Sequence, residues 1–271
     1  MPVSPSENGL AENLSLRHLH RKRSPEAMAA PRWFFAPPEA FGADTLILGP
    51  EESRHLARVL RLPVGAEVAV CNGEGRVVAA RVVVLADEGV QLRLLGDLEV
   101  TTESPLAVTL AVGLAKGDAL DRVVEQATEL GASRLIVFTS AFSESGSPER
   151  TTRRLIRWRR LAREALKLCR RPRLPVIEVG TFTEALAGAE EVKILFYEDE
   201  THGLGPLGGT PLPASVRLVI GPEGGFAPGE VAQARAAGLA VAGLGPRRLR
   251  VETAAATALG LVQFLWGDLR V

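Results

Sequence analysis

The 271 residues predict two units of different grammar: a small β-rich domain, then an α/β domain with a mostly parallel sheet. Three observations point there. Up to about residue 98, short β-branched stretches are broken by Gly- and Asp-rich turns. From Leu106 onward, continuous apolar runs alternate with helical patterns, as strands buried on both faces do between covering helices. Between the two lies a polar stretch, Thr101–Pro105, which reads as a linker.

The elements follow in order. Residues 1–28 hold few large apolar side chains and a basic knot at 17–23, and read as a disordered basic extension. That segment has no apolar core of a secretory signal, and Met28 stands just before the first ordered-looking stretch, AAPRWFFAP. Residues 29–100 form the β domain. Its strand-like pieces are 45–49, 66–72, 76–85 and 90–96, and one helical segment at 51–60 places Leu56, Val59 and Leu60 on a shared face with Arg54, Arg58 and Arg61 off it. Residues 101–105 are the linker, and 106–271 form the α/β domain. Strands are predicted there at 106–114, 134–140, 175–180, 193–198, 216–221 and 240–244. Helices are predicted at 118–130, with Gly131 as a stop, then at 149–170, 183–189, 229–237 and 253–266.

Composition excludes several function classes. Apolar residues make up 46% and charged residues 24%, an ordinary folded balance. Lys plus Arg and Asp plus Glu are 32 each, so global charge singles out no partner. Two cysteines without a CxxC give no disulfide scaffold and point to a reducing, cytoplasmic location. The four histidines form no HExxH or Cys/His cluster, so no metal is expected, and no apolar run is long enough for a membrane span.

Two loops carry chemistry. The strand at 216–220 feeds into Gly221-Pro222-Glu223-Gly224-Gly225-Phe226, a glycine-rich loop at a strand's carboxyl end, where open α/β sheets bind ligands. It lacks both the Gly-Lys-Ser/Thr of a P-loop and the GxGxxG spacing of a dinucleotide site. Taken alone, it also reads as a structural turn. The second stretch, Leu244-Gly245-Pro246-Arg247-Arg248-Leu249-Arg250-Val251-Glu252-Thr253-Ala254, bends after a short strand and enters a helix that Glu252 or Thr253 would cap. A packed helix with a solvated arginine turn explains either loop singly, and explains two Gly-Pro loops at two strand ends poorly.

Together these stretches resemble the cofactor loops of the SPOUT methyltransferases, and more narrowly those of the RsmE-type 16S ribosomal RNA uracil-N3 methyltransferases. Arg32-Trp33-Phe34-Phe35 is similar to that family's start. His55, Val59-Leu60-Arg61 and Gly65 resemble its His…Val-Leu-Arg…Gly segment, Thr128-Glu129-Leu130-Gly131 its helix end, and Arg171 to Pro175 its Arg-x-x-x-Pro turn. The likeness covers about 31–269. It implies a PUA-like β-barrel for RNA docking and a C-terminal trefoil-knotted α/β domain. It also implies a homodimer, S-adenosylmethionine as cofactor, and 16S rRNA in the small ribosomal subunit as partner. Cofactor contacts are expected from Leu195, Ile220, Gly221, Pro222, Glu223, Gly224, Gly225, Leu244, Gly245, Leu249, Arg250, Glu252, Thr253 and Ala254. The chain departs from the family in two places. Ala141-Phe142-Ser143 stands where an acidic–Arg–Ser triplet is usual, and Leu168 where a Gln is common.

Residues 149–173 hold eleven Lys/Arg against two Glu, an excess of nine positive charges. Such a run is either a solvated face or a phosphate track. The expected RNA contacts are Arg32, Arg54, Arg58, Arg61, Arg153, Arg157, Arg160 and Arg171. Methylating a uracil N3 requires an unpaired base and loss of its imide proton. Arg250 and Lys116 are candidates to stabilise the resulting anion, and Glu129 and Glu223 to serve as base or orienting group. Two other readings stay open: transfer to a ribose 2′-hydroxyl, and a non-catalytic RNA-binding or ribosome-assembly protein.

Overall fold

The structure is a computed structural model, described for residues 31–86, 89–143, 148–205 and 211–269; the expected basic extension lies outside the described residues. A first sheet is built from β1 (Arg32–Phe35), β2 (Thr45–Ile47), β3 (Glu67–Cys71), β4 (Val77–Ala86) and β5 (Gly89–Asp97). Its order is β1-β3-β4-β5-β2. All its pairs are antiparallel except β1 with β3. Strand β1 is an addition to the sequence reading, because four residues of RWFF are too few to show alternation. No ladder joins β1 to β2 among the described residues, so in its hydrogen bonding the expected barrel is an open five-stranded sheet. Phe34, Leu46, Leu56, Val70, Val82 and Leu92 share its core.

The helical segment between β2 and β3 is corrected in detail. An α-helix, α1 (Pro50–Arg54), passes into one π turn, His55–Val59, so the Leu60 N–H reaches back to the His55 carbonyl at 2.9 Å. The wider turn rotates Val59 out of the apolar stripe assigned by a 3.6-residue period, leaving it 65% exposed while Leu56 is buried.

The second sheet contains β6 (Ala107–Gly113), β7 (Ala132–Thr139), β8 (Val176–Thr181), β9 (Val192–Phe196), β10 (Ser215–Ile220) and β11 (Ala240–Ala242). All its pairs are parallel, in the order β11-β9-β10-β6-β7-β8. Alternate side chains serve opposite layers. Leu110 and Val112 join one core with α2 (Ala119–Glu129), α3 (Pro148–Cys169) and α6 (Val251–Trp266). Ala111 joins the other, with α4 (Phe182–Leu186) and α5 (Pro228–Ala236). The central strands are therefore buried on both faces, which is why they read as unbroken apolar runs.

The two sheets meet at a packed seam. Leu166 of α3 is buried with Ala69, Cys71 and Val77 of the first sheet. Glu52 accepts from Lys167 Nζ at 2.5 Å and from the Phe35 N–H at 3.3 Å. The turn after α3 is stitched to the first sheet by Gly75 N–H to Pro172 O and Leu174 N–H to Gly73 O, each 2.9 Å. The segment read as a linker is strapped down. Thr102 donates to Arg170 O, Glu103 pairs with Arg171, and Ser104 donates to Gln263.

Candidate functional site

Strands β11, β9, β10 and β6 are neighbours, and their carboxyl ends open onto one cleft of about 590 Å³. From β6 the chain builds outward through β7 and β8, then returns to the other side of β10. That reversal of strand order is where two loops part and leave a crevice. Its walls come from Lys116, Asp118, Ala119 and Arg122; from Phe196, Tyr197 and Glu198; from Ile220–Gly225; and from Leu244, Gly245, Arg247–Glu252 and Ala254.

The glycine-rich loop after β10 is held from several sides. A Cβ on Gly113 would lie 2.4 Å from Pro222 N, so glycine alone lets β6 approach the loop this closely. Glu223 accepts from the Lys116 N–H at 2.7 Å, tying the loop to the end of β6. Gly225 has φ +72° and closes a turn on Pro222 O at 2.9 Å; a Cβ there would meet Glu198 Oε1 at 2.5 Å. Phe226 then anchors the loop in the core, stacked on Phe138 at 6.4 Å and tilted against Phe182 at 5.7 Å. Glu230 accepts from Ala227 N–H and Ala141 N–H, both 2.9 Å, which sets the departing triplet beside the loop. Phe142 lies against Gly224 and is 55% exposed.

The second loop ends in the start of α6. Its N-cap is Arg250, with no side-chain cap, rather than Glu252 or Thr253. Glu252 instead reaches Arg122 at 3.5 Å, and Arg122 also holds Asp118 at 3.2 Å. The amino ends of α2 and α6 both face the cleft, with free main-chain donors and the positive end of each helix dipole. Lys116, Arg247, Arg248 and Arg250 line it with no side-chain ion pair among the described residues.

Most of the expected loop residues meet at this cleft: Ile220, Gly221, Pro222, Glu223, Gly224, Gly225, Leu244, Gly245, Leu249, Arg250, Glu252 and Ala254, with Lys116 beside them. Four assignments are corrected. The Leu195 side chain is fully buried in the α4–α5 layer, because one residue's shift along a strand reverses its face. Thr253 is exposed and lies off the cleft wall, Val251 and Ala254 standing there instead. Glu129 ends α2, whose other end reaches the cleft, and the helix is roughly 15 Å long at 1.5 Å per residue. Arg171 is 3% exposed and spends four of its five N–H donors on Glu103, Thr128 O and Ala132 O, so it is buried away from RNA. Arg32, Arg54, Arg58, Arg61, Arg153, Arg157 and Arg160 are exposed, but Arg157 is bound to Asp121 at 2.6 Å and Arg160 lies 3.6 Å from Glu51. Tyr197 and Glu198 were missed. The rule that ligands lie beyond strand ends would have found them, since they follow β9 directly.

A cleft of this volume, rich in main-chain donors and flanked by unpaired cations, suits a nucleoside-sized ligand with an anionic group, next to a polyanion. Among the described residues, no group of His, Cys, Asp or Glu is placed to hold a metal ion, and no helix is long and apolar enough to cross a membrane.

Known proteins agree with this architecture. Residues 102–263 match the RNA methyltransferase domain family and residues 48–95 the RNA methyltransferase PUA domain family. The chain is 33% identical to ribosomal RNA small subunit methyltransferase E of Synechocystis, across 97% of this chain and 87% of that protein. It is 28% identical to the Bacillus subtilis protein of the same name, across 82% and 91%. The crystal structure of that enzyme from Neisseria gonorrhoeae, bound to S-adenosyl methionine, superposes with a TM-score of 0.79 at 30% identity, covering 89% of this chain and 99% of that one. On its two domains and the cleft between its strand-end loops, the chain belongs to the ribosomal RNA small subunit methyltransferase E family.

Proposed function

We propose that the chain transfers the methyl group of S-adenosylmethionine to N3 of a specific uridine in 16S ribosomal RNA, on the assembled small subunit in the cytoplasm. The observation that carries this reading is the cleft at the strand-order switch, walled by loops 220–226 and 244–254, in a chain of this family. The cofactor supplies an activated methyl on a sulfonium leaving group. The chain's own task is to hold it through the main chain of both loops and to align the base. Arg250 and Lys116, unpaired at the cleft, stabilise the anion developing on the uracil oxygens. Glu223 is engaged by the Lys116 N–H and Glu129 is remote, so the imide proton leaves to solvent.

In this reading residues 29–100 dock RNA as a PUA-like domain, 101–105 are the strap, and 106–271 form a trefoil-knotted domain in which the two loops thread one another. Arg32, Arg54, Arg58, Arg61, Arg153 and Arg160 contact phosphates. Two copies pair through α6, whose Leu261 and Phe264 are 38% and 60% exposed.

The test offers small subunits, naked 16S RNA and free uridine a labelled methyl donor, then locates the label by nuclease digestion and mass spectrometry. Label on N3 of one uridine, with subunits preferred, is the expected result. Label on a ribose, or none, overturns it.

A further inference from the structure

Four acidic side chains line the cleft, and three are occupied. Asp118 and Glu252 hold Arg122, and Glu223 holds the Lys116 N–H. Glu198 has no hydrogen bond or ion pair among the described residues, although it sits where a Cβ on Gly225 would lie 2.5 Å from its Oε1. An unpaired carboxylate therefore rests directly on the glycine-rich loop, at the carboxyl end of β9. Lining the same cleft are Lys116, Arg247, Arg248 and Arg250, four cations without ion pairs among the described residues.

That balance poses an electrostatic problem. Building on the cofactor reading above, the ligand carries an ammonium, a sulfonium and one carboxylate, a net charge of +1. Cations outnumber carboxylates by one in the lining, so the cleft attracts the ligand's carboxylate and the RNA phosphates, while a cationic group needs a carboxylate whose oxygens are not already engaged. We infer that Glu198 is the cofactor-binding carboxylate that receives the cationic methionine end of S-adenosylmethionine. Its place on Gly225 puts the negative charge against the loop that holds the cofactor, and a glycine is required there to leave it room. Such a residue selects for charge, so a neutral nucleoside of the same shape gains nothing from it.

The ammonium and the sulfonium share this chemistry, and three ligands separate them. Calorimetry at low salt compares the native chain with Glu198→Gln for S-adenosylmethionine, for S-adenosylhomocysteine, which keeps only the ammonium, and for 5′-methylthioadenosine, which has neither cation. The variant is expected to bind S-adenosylmethionine about five- to tenfold more weakly, the range for one partly exposed charge-assisted hydrogen bond, with methylthioadenosine unchanged. An equal loss for the homocysteine product assigns the ammonium, and a smaller loss assigns the sulfonium; both support the inference. Unchanged binding of S-adenosylmethionine, or an equal loss for methylthioadenosine, overturns it. A native chain that binds none of the three overturns the cofactor reading as well, which is a distinguishable result.

Discussion

Arg171 and Arg217 are 3% exposed, and each grips one carboxylate with two nitrogens while a third donates to main-chain carbonyls. Arg171 spans Glu103 of the strap and the Thr128 and Ala132 carbonyls. Arg217 binds Glu190 at 2.9 Å through both Nε and Nη2, together with the Ala185 and Glu184 carbonyls. Burial alone pushes the Glu190 carboxyl up, but the bonds from Arg217 and Thr109 outweigh it and hold the group below its ordinary range. Nothing local in the sequence separates Arg171 from exposed arginines, whereas Arg217 stands out inside the apolar run of β10. Truncating Arg171 removes the bidentate partner of Glu103 and the buried donor to the Thr128 and Ala132 carbonyls, so Arg171→Ala is expected to cost about 3 kcal/mol in urea unfolding. Arg153→Ala, at an exposed site, is expected to change stability by under about 0.5 kcal/mol. Equal effects would contradict a structural role for Arg171.

At the scale of elements, α3 shows what a charge count leaves out. Its extent was legible from apolar spacing, and its excess of basic residues from composition. Its neutralisation was not, because the acids come from other elements: Asp121 from α2, and Glu51 and Glu52 from α1. The hydrogen bond and charge of Asp121 raise the Arg157 pKa above its ordinary value. A chain with Arg153, Arg157 and Arg160 all changed to Ala is therefore expected to lower the slope of log affinity for RNA against log salt by about 1 to 2, short of the roughly 3 of three free contacts. An unaltered slope would remove α3 from the phosphate track. The same limit applies to the site. The glycine loops were legible because turns and close approach are local demands on one residue type, whereas the helix at 51–60 concealed a π turn that no apolar period announces.

Across the whole molecule, the seam between the sheets makes stability depend on pH. Burial, with the Glu52 charge adding to it, pushes the Cys71 thiol from 9.0 up to about 12. Burial works to lower the Lys167 pKa, but hydrogen bonds to Glu52 and Glu164 outweigh it and leave it raised. Both groups hold a proton more firmly folded than unfolded. The thiol's contribution is complete below about pH 9 and is lost as pH rises toward 12, whereas that of Lys167 is complete up to its ordinary 10.5 and is lost only above it. The melting temperature is expected to fall by roughly 5 °C between pH 8 and 10.5. Cys71→Ala should flatten that decline, and an identical slope in the variant would show that the buried thiol is not its source.

The order of strands and helices, the two glycine-proline loops and the family likeness are properties of the sequence itself. Apolar period, chain stiffness and positive φ are decided by a residue and its near neighbours, so they can be read along the chain. What only the tertiary structure decided is which charges are taken and which are left. Arg171 meets Glu103 across 68 residues, the main-chain N–H of Lys116 engages Glu223 across 107 while its ammonium stays unpaired among the described residues, and Lys167 meets Glu52 across 115. Glu198 is left unpaired in the cleft by the same long-range packing. A charge's partner is set by distance in space, which the order of residues does not carry.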